Sequence, residues 1–543
     1  MTLRLMRGGL NGLLPGPATE RREVDESGSD LVAASARRTG DALLLVALLS
    51  FVALSLWMLR AQLDLSIGDQ SQYLLHARAL LEGRRYTENG YIYNPHIALS
   101  PQAYPPGLPL LIVAVEAVGA PLLVARVLLI VASVIFLYLS GRYLARHGDP
   151  LLGPVAILIC AFIPPLALFA SGLYSDFVFA AMVWSCCLLV DRSGRWGVGR
   201  IAALSAVGAI AIAFRTIGVA LIPALVAYTA WRAWRHREPW AHALVPVVIW
   251  LTTHLAIDRS LPVTQGYALQ IASGGSDVAV TPGPTAMATL FLGRVADYRD
   301  FVSGLQLTPT PWYLVNVGYH VVALLAMGVG AIVWLRRAGM PFLFWFVLFY
   351  VGGFMMMPWA VARFLWPLAP MIWFATLDGV RVGLMAVNIP PLRARRASVG
   401  AGIAVLLIAA VAGKPPDAFV GVGDVTEGRA LYAALQREAA VAPVRTLFFN
   451  PRDIARLDGV AAMYVPRMMP ESLLAEADAY KITHAVAGSM GQDSTSDRYL
   501  RDALTAHPGR FRRVYGNEQF TLFRLVPEGT HVVQENGVRP RTE

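Results

Sequence analysis

The chain is poor in cysteine and poor in charge. Its 543 residues include three cysteines, Cys160, Cys186 and Cys187, each inside an apolar run. That excludes a disulfide framework and a CxxC metal knuckle. Charged residues make up 15% against 56% hydrophobic ones, a balance that fits a polytopic membrane protein and not a soluble domain. No P-loop, no GxGxxG after a strand, no GxSxG elbow and no HExxH spacing occurs in a credible context. A nucleotide site is therefore not expected. His96, His254 and His320 are scattered without ligand spacing, so no metal ligands are assigned, although a divalent metal beside an acid is left open. There is no internal repeat and no low-complexity tract.

What the chain has is a series of apolar runs. The first, residues 42–59, comes too late and runs too long for a cleaved leader, so it is read as a first transmembrane helix. Arg22, Arg37 and Arg38 precede it, which places the N-terminal tail 1–40 in the cytoplasm. Further arginine clusters, at 142–146, 192–200, 232–237, 336–337 and 393–396, then fall after returning spans, on the cytoplasmic side, without contradiction. The net charge of +10 is explained by this topology and does not call for nucleic acid. About eleven spans result, within residues 41–413. Two outer loops are large, 60–105 and 258–310. Residues 151–170 read as one span, and 106–118 as a short re-entrant or interfacial helix. An odd span count leaves the C-terminus outside. Residues 414–543 change character and read as a soluble, extracytoplasmic α/β domain. It has strands near 446–449 and 485–487, helices near 471–480 and 498–506, and a closing hairpin over 511–525.

The organising stretch follows the first span: Ile67-Gly68-Asp69-Gln70-Ser71-Gln72-Tyr73. Tyr73, Leu74, Ala77, Leu80 and Leu81 recur at helical spacing, which predicts a helix lying on the bilayer surface. Asp69 heads it. Its side chain could cap the helix, with Gln72 closing a capping box, or serve as a general base, and the two roles are compatible. Asp176, at the mouth of a span beside Tyr174, is a solvated loop acid, a second cap, or a functional acid. Arg215 and Arg363 lie on the side where topology needs no arginine. Each either snorkels to headgroups or forks onto a phosphate.

These residues carry a resemblance. Gly68-Asp69 with Gln70-Ser71-Gln72-Tyr73 resembles the acidic first-loop motif of GT-C membrane glycosyltransferases, nearest to glycosyltransferase family 39. That group holds the protein O-mannosyltransferases and aminoarabinose transferases. Tyr104-Pro105-Pro106-Gly107-Leu108-Pro109 resembles the proline motif of its re-entry helix, and Ala125-Arg126 the opening of the next span. Tyr174-Ser175-Asp176 occupies the place of the second-loop acid. Phe214-Arg215 and Arg363-Phe364-Leu365-Trp366-Pro367 resemble later interfacial positions. Many members carry Asp-Glu where this chain has Asp69-Gln70.

The resemblance implies a GT-C-like polytopic α-helical fold with a small soluble C-terminal α/β domain. It implies an inverting transferase in a bacterial-type inner (plasma) membrane. Such an enzyme moves a sugar from a polyprenyl-phosphate donor to an envelope acceptor at the outer face. On this reading Asp69 is the base, and Asp176 orients sugar or acceptor. Arg363 and Arg215 meet the phosphate, and Tyr73 and Tyr104 line the pocket. The competing expectation is a transporter or flippase of lipid-linked sugars, which also places Arg and Asp in a membrane cavity. The large first loop, the soluble tail and the lack of an inverted repeat weigh against it.

Overall fold

The computed structural model describes residues 26–61, 68–94, 102–194, 196–237, 240–261, 313–355, 362–412, 422–488 and 494–527, with positions 288, 291–295 and 298. Ile67, His96, most of the 258–310 loop and the junction at residue 414 lie outside the described residues.

Fourteen helices precede the tail among the described residues. In chain order they are α1 Glu26–Ala61, α2 Asp69–Leu81, α3 Gly107–Ala117, α4 Leu122–His147, α5 Leu152–Ala161, α6 Pro164–Ser171 and α7 Asp176–Val190. There follow α8 Val198–Phe214, α9 Leu221–His236, α10 Leu244–Ser260, α11 Tyr313–Ala338, α12 Phe342–Met355, α13 Ala369–Ala386 and α14 Pro391–Ala412. Short 3₁₀ turns at Thr216–Ala220 and Ala362–Leu368 lead into α9 and α13.

Six helical segments are long and apolar enough to cross a bilayer, and a bent pair makes a seventh. The pair is α5 and α6, where one span was expected. The chain bends there by 68°, because Ile163 precedes Pro164 and is held extended. The other four of the eleven expected spans fall on the shorter apolar helices α7, α8 and α12 and on α14, while α3 occupies the stretch expected as a short re-entrant or interfacial helix.

Their shortness matters. With 15 and 17 residues, α7 and α8 reach about 22–26 Å, less than the roughly 30 Å hydrocarbon core. Both are fixed at the Arg200 end. Arg200 Nε donates to the carbonyl of Leu189 at 2.6 Å and Nη2 to that of Val190 at 2.8 Å, closing the last turn of α7. Their opposite ends, Asp176 and the residue after Phe214, meet in a little-exposed polar recess.

Small residues set the tightest helix crossing. A Cβ on Gly330 of α11 would stand 1.9 Å from the carbonyl oxygen of Ala375, and one on Gly379 of α13 1.7 Å from that of Ala326. Only glycine permits this approach. On the Arg200 side, Asp149 lies 3.4 Å from both Arg381 and Arg395, and buried Asp378 meets Arg381 and Arg337. Some arginines read as topology signals are thus also ion-pair partners. The three cysteines are buried and free.

The tail begins with α15 Thr426–Val441, followed by β1 Val444–Phe448, α16 Pro451–Ile454, β2 Val460–Tyr464, α17 Pro470–Ala479, β3 His484–Ala487, α18 Ser494–Ala506, β4 Phe511–Gly516 and β5 Thr521–Leu525. The strand order is β2-β1-β3-β5-β4. β1 runs parallel to β2 and β3, and β5 is antiparallel to β3 and β4. The strands and hairpin expected from sequence lie in β1, β3, β4 and β5; β2, α15 and α16 were not foreseen.

The first outer loop is bonded to this sheet. Ile92 N donates to the carbonyl of Ala462 at 2.8 Å, and Ala462 N to that of Gly90 at 2.9 Å, so the loop pairs along β2. Leu75 and Tyr91 of the loop share a core with Val422, Leu435, Phe448 and Phe520. The surface-lying reading of α2 is corrected by this packing. Tyr73 and Ala77 pack on Leu108, Ile112 and Leu129, while Gln70, Ser71, Gln72, Leu75, His76 and Ala79 are buried as well. α2 is a layer between membrane helices and tail, with its polar residues hydrogen-bonded instead of hydrated.

Candidate active site

The site forms at the start of α2. Gly68 has φ 59° and ψ −125°, a conformation essentially reserved for glycine, and it turns the chain so that Asp69 is the first helical residue. The capping reading does not hold. The N-cap position is Gly68 and no side chain caps the helix. Gln72, the expected partner in a capping box, instead places Nε2 3.0 Å from His76 Nε2. Asp69 still benefits from the positive end of the helix, but its carboxylate is turned to other partners.

Those partners divide between its two oxygens. Oδ1 accepts from Tyr104 Oη at 2.7 Å and from Arg452 Nη1 at 3.3 Å. Oδ2 accepts from Arg363 Nη2. Arg452 Nη1 also donates to Tyr104 Oη at 3.0 Å. Burial alone would push the carboxyl pKa up. The Arg363 and Arg452 charges and the Tyr104 hydrogen bond outweigh it and hold Asp69 well below the usual carboxylate range.

Tyr104 is fixed from both sides of its peptide. Its N–H donates to His76 Nε2 at 3.2 Å, and its carbonyl accepts from Tyr86 Oη at 2.9 Å. The His76 ring stacks on Tyr86 at 4.1 Å, with Nδ1 2.8 Å from the Tyr86 carbonyl. This assigns the proton to Nδ1 and leaves Nε2 as acceptor. Burial drives the His76 pKa down to about 4, which keeps the acceptor available at neutral pH.

A second centre lies in the recess. Asp176 and Arg215 pair at 2.6 Å with little exposure, 3% and 13%. Asp176 is neither a solvated loop acid nor a cap: the N-cap of α7 is Ser175, and no side chain caps it. The snorkelling reading fails for both arginines. Arg215 lies 5.4 Å from the Phe364 ring, and Arg363 lies 5.5 Å from Tyr174 and 5.9 Å from Phe364. Aromatic faces and carboxylates hold both guanidinium groups. Among the described residues, Arg363 Nε and Asp176 Oδ2 are buried without a hydrogen-bond partner.

The first and second loops are bound to each other. Tyr73 Oη lies 2.8 Å from Ser175 Oγ. Gln70 donates to Tyr174 Oη at 3.2 Å and accepts from Leu173 N at 2.8 Å. An amide at position 70 does both at once, which a glutamate cannot. Arg126 has a structural place, donating to the carbonyls of Ser171 at 2.7 Å and Leu59 at 3.2 Å. The structure brings Asp69, Tyr73, Tyr104, Asp176, Arg215 and Arg363 together. Arg452 and His76 were missed. Among the described residues, no three His, Cys, Asp or Glu side chains group as metal ligands.

No family model matches the chain, and no curated protein matches it. Solved structures do. The chain is similar to the oligosaccharyltransferase of Archaeoglobus fulgidus, tethered with an acceptor peptide. Identity is 11%, over 90% of this chain and 74% of that one, with a TM-score of 0.50. It is also similar to ArnT from Cupriavidus metallidurans bound to undecaprenyl phosphate. There identity is 14%, over 88% of this chain and 98% of that one, with a TM-score of 0.45. The likeness is one of fold, and the fold is the GT-C arrangement.

Proposed function

We propose that the protein is an integral membrane glycosyltransferase that moves a sugar from a polyprenyl-phosphate donor to an envelope acceptor at the outer face of the membrane, with inversion. The observation that carries this reading is the Asp69 carboxylate, held by Tyr104 and Arg363 next to the buried Asp176–Arg215 pair. A base, a phosphate-matching fork and a second acid share one recess at the ends of short membrane helices.

A prenyl chain partitions into lipid and presents its phosphate at the boundary. Arg363, with its unpartnered Nε, and Arg215 receive that phosphate. The acceptor hydroxyl oxygen attacks the anomeric carbon from the face opposite the phosphate. The bond from that carbon to the phosphate oxygen breaks, its electron pair leaves with the polyprenyl phosphate, and Asp69 takes the hydroxyl proton. Asp69 is a weak base while both arginines hold it. Transfer of Arg363 to the phosphate removes one opposing charge and raises its basicity. Asp176 Oδ2 is free to orient a sugar or acceptor hydroxyl.

The test is transfer of radiolabel from a polyprenyl-phosphate sugar to envelope lipid, glycan or protein by the purified protein in liposomes. Label that crosses the bilayer still attached to its lipid would replace this reading with that of a transporter or flippase.

A further inference from the structure

Arg452 comes from the tail, 383 positions beyond Asp69. It stands just past the carboxyl end of β1, the strand flanked by two parallel neighbours. Parallel sheets present ligand-contacting residues at that edge. Pro451 opens α16 at its first position. Asn450 Nδ2 donates to Asp453 Oδ2 at 2.7 Å, and Asp453 Oδ1 accepts from Ser71 Oγ at 3.1 Å. The short helix is therefore pinned to α2 two residues from Asp69. Farther along α2, Arg78 Nη1 donates to the carbonyl of Arg456 at 2.8 Å, and Nη2 pairs with Asp458. The tail docks along α2, and Arg452 is the side chain it sends to the acid.

The charged groups around Asp69 fall on two sides. Arg363 approaches from the membrane helices, with Tyr174 beside it and the Arg215–Asp176 pair behind. Tyr73 is close on α2 itself, its ring 5.2 Å from that of Tyr104. Arg452 and Tyr104 take Oδ1, and among the described residues Oδ2 is left to Arg363.

We propose that Arg452 is a positioning residue of the transfer reaction. With Tyr104 it anchors Asp69 through Oδ1, so that Oδ2 can face the acceptor hydroxyl once Arg363 has moved to the donor phosphate. The tail is then a working part of the site. This rests on the reading of Asp69 as base. Arg452 is 11% exposed, and a guanidinium this buried is stably placed only against an acid or an anion. One guanidinium nitrogen, Nη1, reaches both the carboxylate and the phenol and so ties Tyr104 and Asp69 Oδ1 together.

The experiment uses the full chain in detergent and in liposomes, comparing wild type, Arg452→Gln, Arg452→Lys and Arg78→Gln. The last variant loosens the docking of the tail without touching Asp69. One measurement is the pH midpoint for carbodiimide-and-amine labelling of the Asp69 carboxyl, read by mass spectrometry; it needs no activity. The other is the pH profile of transfer, with kcat and KM for a polyprenyl-phosphate sugar. Arg452→Gln should move the labelling midpoint and the acidic limb upward together, by about one to three pH units. Its kcat should fall roughly 10–100-fold with KM little changed. Arg452→Lys should recover part of both, and Arg78→Gln should move neither. An unmoved midpoint in Arg452→Gln, or a loss confined to KM or to thermal stability, overturns the proposal. A wild type that transfers no sugar overturns the functional reading alone. The labelling midpoint then still decides whether Arg452 holds Asp69.

Discussion

Asp176 and Arg215 pair at 2.6 Å where α7 begins and α8 has just ended. Each helix is shorter than the roughly 30 Å hydrocarbon core, and the two end charges meet with little exposure in the recess. Removing one partner strands the other. Arg215→Ala should cost about 3–5 kcal/mol, the usual penalty for leaving one charge of a buried pair. The double variant Arg215→Gln/Asp176→Asn should recover much of that loss. Thermal unfolding in detergent measures both. A snorkelling arginine would shift stability by no more than about 0.5 kcal/mol, and that result would dissolve the pair as a structural unit.

Much of this site is legible in the sequence, for a physical reason. Asp69, Asp176, Arg215 and Arg363 stand beside apolar runs on the side where topology needs no charge. A charge in such a place requires a partner. The pairings are not legible, because they join distant segments: Arg363 lies 294 positions from Asp69. Arg452 is hidden differently. It sits in the small C-terminal sheet domain, where arginine is ordinary, and only the sequence Phe448-Phe449-Asn450-Pro451-Arg452, a strand running into a proline-started helix, hints at a strand-end site. The surface-helix expectation for α2 failed because periodicity counts apolar residues. Gln70, Gln72 and His76 interrupt the pattern and are buried all the same. Polar residues on every face of a helix next to a candidate acid are the signal to look for.

The orientation of the chain can be tested directly. If Asp69 faces the outside, so does the tail that shares its site through Arg452. A phosphatase joined after residue 420 should be active, and a reporter that works only in the cytoplasm should be silent there. The reverse pattern would put the site in the cytosol and remove the lipid-linked donor at the outer face from the proposal.

His76 predicts a pH dependence of stability. Its folded pKa is about 4 against an ordinary 6.5, because burial disfavours the charged ring. Between those values the unfolded chain binds a proton that the folded one refuses. The folded state therefore loses stability as pH falls from about 6.5 toward 4. At 1.36 kcal/mol per pKa unit the loss is about 3 kcal/mol. His76→Gln should flatten the slope of melting temperature against pH over this window, although it lowers stability at neutral pH by disturbing the contacts to Tyr86 and Tyr104. An unchanged slope would mean that folding does not lower the His76 pKa, so that the ring takes up a proton near its ordinary 6.5 and Tyr104 N then loses its acceptor.

Asp69→Asn tests the centre of the proposal. The side chain caps nothing, so the substitution leaves the helix start alone and acts on charge, on proton affinity and on the hydrogen bonds from Tyr104, Arg452 and Arg363. An amide keeps the size and one acceptor oxygen but cannot take a proton from a hydroxyl. Transfer should fall by roughly 100- to 10,000-fold, the range of general-base catalysis. Stability gives a second, signed readout. Asp69 is held below the usual carboxylate range, so its contribution is complete above the unfolded pKa of about 3.9 and is lost as pH falls toward the folded value. Wild type should therefore exceed Asp69→Asn in stability by a constant margin at neutral pH, and the margin should close in acid. If the margin behaves this way but transfer stays near normal, Asp69 is an ion-pair partner and not the base. Asp176, the other buried acid of the recess, would then take that role, and Asp176→Asn should abolish the reaction.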